Sequence, residues 1–90
     1  MTAEPTVPHW QPLKEAWTAE RAEHAYVPGY ELIVMQLAAD REMGWKAEIS
    51  WEVYGGEKFL DQISTGVAAT FDDAKAKVVA EWRAVIGEKL

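Results

Sequence analysis

Glu48 and Glu52 stand four residues apart in the segment GWKAEISWEVYGGEKF, with Ser50 between them and Tyr54 just beyond. Carboxylates, a hydroxyl and a phenol are the groups that acid–base chemistry draws on. On a strand, at about 3.3 Å per residue, the two carboxylates lie about 13 Å apart. None of the chain's carboxylates is flanked by apolar residues in a way that signals a raised pKa. The two histidines, His9 and His24, fall on different segments and lack the spacing of metal ligands. His24 follows Glu20 by four residues and reads as half of a helical ion pair. The two serines, Ser50 and Ser64, lie outside any nucleophile-elbow context. Gly55-Gly56 lacks the strand-to-helix setting of a phosphate loop. With no cysteine in the chain, disulfides and thiolate metal sites are excluded. The sequence points to no catalytic residue, no metal and no cofactor.

The elements that carry these groups set what remains. Ninety residues make one domain with a small core, and five tryptophans are many for that length. Pro5, Pro8 and Pro12 mark residues 1–11 as an extended arm ahead of a single domain over 12–90. From Pro12, PLKEAWTAERAEHA is rich in Ala and Glu and predicts a helix over about 12–25. VPGY at 27–30 is a turn with Pro second and Gly third, the type II pattern. YELIVMQL is then a short strand, and the alternation of Trp45, Ala47, Ile49, Trp51 and Val53 with polar residues is a second. A three-residue loop, Gly55-Gly56-Glu57, pairs Val53 with Phe59, Ile49 with Ile63 and Trp45 with Val67, and sets odd-numbered residues toward the core. Thr70 caps a last helix whose apolar face is Phe71, Ala74, Val78, Trp82 and Val85, widened by Val79 and Ile86, with Gly87 as its stop. The expected fold is α+β in two layers: a helix, a three-stranded antiparallel meander, and a C-terminal helix packed on one sheet face.

That arrangement leaves the even-numbered sheet face to the outside. It carries an apolar corner of Leu32, Val34, Leu60 and Tyr54 beside Glu48 and Glu52, the pattern of an interface with an apolar centre and a charged rim. Trp10 and Trp17 have no place in the expected core; they either pack the arm and first helix onto the sheet or serve as anchors for a partner. The net charge of −6 leans toward the first two strands, where residues 30–56 hold five acids against two bases. Such a field favours a protein partner with a basic surface and repels nucleic acid and anionic lipid. No apolar run approaches the ~20 residues of a membrane span, and the first ten residues lack the features of a signal peptide. The expectation is a cytoplasmic protein, and the open sheet edges make a homodimer a further outcome.

Two resemblances bear on function. The stretch Gly66-Val67-Ala68-Ala69-Thr70-Phe71-Asp72-Asp73-Ala74-Lys75 resembles the end of the double-stranded-RNA-binding domain, where glycine, small residues and a cap lead into a lysine-rich helix start. That resemblance implies a helix–three strands–helix topology and, in the family, phosphate contacts from the helix-start lysines. Here Asp72 and Asp73 occupy that place and repel a polyanion. Residues 44–86 are also similar to small meander-plus-helix proteins of bacteriophages and mobile elements, some of which inhibit host nucleases or other defence complexes. The resemblance implies a non-catalytic inhibitor or accessory protein that binds a basic surface. The alternatives are a degenerate RNA-binding domain and a structural homo-oligomer.

Overall fold

The structure, a computed structural model, describes residues 8–14, 19–44 and 46–88. It is an α+β arrangement in which one helix lies on a five-stranded antiparallel sheet. The strands are β1 (Gln11–Pro12), β2 (Arg21–Val27), β3 (Tyr30–Leu37), β4 (Glu48–Gly55) and β5 (Asp61–Ala68), neighbours in chain order, and the helix is α1 (Phe71–Glu88). Gly87 therefore sits inside the last turn of α1 instead of ending it.

The segment expected to be helical over 12–25 is the largest departure. Within its described residues, Pro12 belongs to β1 and Arg21–Ala25 to β2. Ala and Glu favour helix locally, but the segment has only a weak apolar stripe to bury, and tertiary pairing overrides so small a preference. The Pro28-Gly29 turn, with Gly29 at φ 83°, folds β2 directly back on β3, from Val27 opposite Tyr30 to Arg21 opposite Gln36. As β2, this segment pairs one flank of β3 from Tyr30 to Gln36. The turn at 27–30 is thus where the sequence placed it, but it joins two strands.

Register decides which residues meet α1. Ten residues, 38–47, connect β3 to β4, so Leu32 pairs with Val53 and Val34 with Trp51. Even-numbered residues of β3 therefore share a face with odd-numbered residues of β4. The β4–β5 connection corrects the expected three-residue loop. Gly55 pairs with Asp61 across a five-residue loop, 56–60, containing a 3-10 turn at Glu57–Phe59. Gly56, Lys58 and Phe59 take left-handed φ values of 78°, 60° and 55° to close it. A bulge opposite Val53/Tyr54 then inserts Ile63, and beyond it Val53 pairs with Ser64, Trp51 with Gly66 and Ile49 with Ala68. One inserted residue reverses the facing of the rest of β5. Val67 is consequently 58% exposed and Ile63 44% exposed, although both were expected inside.

The core lies between α1 and the opposed face. Leu32, Val34 and Val53 from the sheet and Ala74 and Val78 from α1 are wholly buried, with Trp51, Phe71 and Trp82 around them. Phe71, Ala74, Val78 and Trp82 follow the spacing of one helical face. Thr70 caps the helix: its Oγ1 accepts a hydrogen bond from the Asp73 backbone N–H at 3.0 Å. Two aromatic–glycine pairs thicken the sheet side. Tyr30 lies opposite Gly55 and Trp51 opposite Gly66, and each ring occupies the space a Cβ would take.

The first described residues are tied down on the same side. Gln11 pairs with His24 and Pro12 with Glu23, so the last residue of the expected arm joins Pro12 in a short edge strand. Trp10 is half-buried against the core, and the Lys75 ammonium stands 5.3 Å from its ring centre. Lys75 also binds Glu23 at 2.8 Å, and the Arg21 guanidinium sits 4.0 Å above the Phe71 ring. These contacts bind β1 and β2 to the first turns of α1.

Candidate functional site

With α1 on one side, the second face of the sheet has no covering layer among the described residues. The register lays its side chains out in rows across the strands. One row is Tyr26, Glu31, Tyr54 and Gln62; the next is His24, Ile33, Glu52 and Thr65; the third is Ala22, Met35, Ser50 and Val67. Leu37 and Glu48 begin a fourth at the far end. Ile33 and Met35, on the middle strand and only half-buried, form the apolar centre. Glu31, Glu48 and Glu52 give this face its charge.

The polar groups near the turn end are linked. His24 Nδ1 lies 2.8 Å from a Glu31 carboxylate oxygen, diagonally across β2 and β3, so the histidine pairs with Glu31 and not with Glu20. The Tyr26 ring meets the His24 imidazole edge-on at 5.2 Å and the Phe59 ring at 5.4 Å. Glu52 accepts a hydrogen bond from Gln62 Nε2 at 3.1 Å. Burial pushes the Tyr54 phenol above its ordinary range, and the negative charges of Glu52 and the nearby Glu31 push the same way. Tyr54 is thus a neutral donor on an acidic face. At the far end, Glu48 and Val67 border an open groove of about 370 Å³ lined also by Glu20, Leu37 and Ala47.

The residues singled out from sequence divide cleanly. Glu48, Glu52 and Tyr54 share the open face, as expected. Leu60 is 75% exposed but belongs to the β4–β5 loop beside that face. Leu32 and Val34 are corrected: both are fully buried under α1, because the ten-residue connection turns even positions of β3 toward the helix. Trp10 packs on the α1 side of the sheet, away from the open face. Trp17 and Trp45 lie outside the described residues. Ile33, Met35, Glu31, His24 and Tyr26 were missed. The Pro28-Gly29 turn was their signal, since a two-residue hairpin would have placed His24 and Tyr26 beside Glu31 and Ile33.

Among the described residues, no group of three or more His, Asp or Glu side chains is arranged to hold a metal ion, and no helix is long and apolar enough to cross a membrane. Asp72 and Asp73 stand in the first turn of α1. Comparison with protein families, with curated proteins and with solved structures finds no match to this chain.

Proposed function

We propose that this protein is a non-catalytic binding module that presents the open sheet face to a protein partner with a basic surface. One observation carries the reading: the face opposite α1 combines an uncovered apolar centre, Ile33 and Met35, with Glu31, Glu48 and Glu52 around it. An apolar middle with a charged surround is how protein interfaces are built, and the sign of this surround selects a basic partner. Tyr54 adds a rigid amphipathic ring that a partner can bury at low entropic cost. The concrete form of the reading is an acidic inhibitor or accessory protein of the phage type, covering the basic surface of a nuclease or defence complex. Acids at the start of α1 and on the open face weigh against nucleic acid as the ligand.

The test is affinity capture from source-cell lysate, with and without nuclease treatment, with the wild-type protein and the double variant Glu48→Lys, Glu52→Lys in parallel. A protein held by the wild type, released by salt and lost with the double variant supports the reading. Partners that disappear with nuclease, or that bind both proteins equally, contradict it.

A further inference from the structure

The two edges of the sheet are unlike. On one side β1 is two residues long, includes Pro12 and follows Pro8, so it offers little for another strand to pair with. On the other side β5 runs for eight residues with β4 along one flank and no described strand along the other. Alternate N–H and C=O groups of an antiparallel strand point away from its neighbour. Edges of this kind are usually guarded by lysine, proline, a bulge or a covering segment. β5 has no lysine and no proline, and its bulge lies at Ile63, near its start. Among the described residues, Ser64–Ala68 is left regular and without a covering segment, with Val67 58% exposed.

Charge identifies the occupant. Residues 62–71, QISTGVAATF, are the longest run in the chain without an acidic or basic side chain. In a protein of net charge −6, this edge carries no charge of its own, and the Glu81 carboxylate beside it on the helix side accepts a hydrogen bond from the Ser64 hydroxyl at 3.1 Å, so two copies meet there without a free acid on the strand. We infer that β5 is a self-association edge, pairing antiparallel with β5 of a second copy to make one continuous ten-stranded sheet. The regular stretch Ser64–Ala68 has its midpoint at Gly66, which places the two-fold axis there. Thr65 then faces Val67 of the second copy on the open side of the sheet, and Ser64 faces Ala68 on the helix side, all small or β-branched pairs that suit a ladder. The contact uses the same edge twice and leaves outward, among the described residues, the two β1 edges and the short flank of β2 beyond them, Ala25–Val27. It closes as a dimer and does not grow into a fibre. The open faces of both copies remain uncovered, so this association is independent of the partner proposed above.

Sedimentation velocity of the full chain from micromolar to submillimolar concentration tests the inference, with Val67→Lys and Thr65→Lys as variants. Both positions are exposed, and far-UV circular dichroism checks that the variants are folded. The wild type is expected to pass from monomer to dimer. Each lysine, facing the edge of a second copy, is expected to weaken the dimer by about tenfold or more. A wild type that stays monomeric throughout overturns the inference. So does a dimer that both variants form as well as the wild type does, since another surface must then hold it. Protection of β5 amides from exchange only on addition of a different protein would assign the edge to that protein and likewise overturn self-pairing.

Discussion

Gly66→Ala probes the packing on which every assignment of facing depends. An alanine Cβ at this position would collide with Trp51 Cζ2 and lie 2.6 Å from Cε2 and 2.9 Å from Nε1. These are atoms of a rigid ring, not the end of a flexible chain, and the ring is held under α1 at 9% exposure. Overpacking of this kind costs about 1–3 kcal/mol. The gain from removing glycine's backbone freedom, about 0.5–1 kcal/mol, offsets part of it. The midpoints of these ranges leave a net loss of about 1 kcal/mol, which lowers Tm by roughly 4–8 °C in a domain of this size. Urea denaturation followed by tryptophan fluorescence reads the same loss as a fall in midpoint at constant slope. Gly87→Ala is the control: it lies in α1 with no atom within 4 Å of its added methyl, and is expected to stabilise by about 0.5–1 kcal/mol. Trp51→Leu should blunt the effect of Gly66→Ala, so the double variant is less destabilised than the two single losses together. A Gly66→Ala protein as stable as wild type, or strictly additive behaviour with Trp51→Leu, would refute the opposition of these residues and with it the bulge at Ile63.

Further consequences concern the helix, the β2 clamp and the open face. Thr70→Ala removes the cap of α1 and is expected to cost about 1 kcal/mol, while Thr70→Ser retains most of it, as read from thermal melts. Burial alone would raise the Glu23 carboxyl, but Lys75 and then Arg21 outweigh it and hold Glu23 below the ordinary carboxylate range. A depressed folded pKa stabilises the protein above the unfolded carboxylate range, and that contribution is lost as pH falls through the folded value. Glu23→Gln is therefore expected to be less stable than wild type near neutrality, with the gap closing in acid; a gap unchanged by pH would count against the clamp. The raised Tyr54 pKa acts at the other extreme. Its contribution is complete below the ordinary phenol range and is lost as pH rises through the folded value, so Tyr54→Phe is expected to resist alkaline unfolding better than wild type does.

The legible parts of the fold were those decided by local pattern. Thr70 and the spacing of Phe71, Ala74, Val78 and Trp82 announced α1, because a cap and a 3.6-residue stripe are properties of one segment. β4 was equally plain from its alternation. β2 was not: an Ala- and Glu-rich stretch reads as helix until the unpaired edge of β3 is counted, and pairing partners are not local. Facing failed for a related reason. Alternation within β3 and β5 was visible, but which half points to α1 depends on the parity of residues 38–47 and on one bulge residue, Ile63. Hence Glu48, Glu52 and Tyr54 were placed correctly on a strand anchored by Trp51 and Val53, while Leu32 and Val34 were placed on the wrong side.

The most direct measurement is methyl and amide NMR of the labelled protein titrated with the captured partner. Shifts and broadening centred on Ile33, Met35, Glu52 and Tyr54, with Leu32 and Val34 little changed, are the result expected if the open face is the binding face. Perturbations confined to α1, at Val79, Val85 and Ile86, would contradict it.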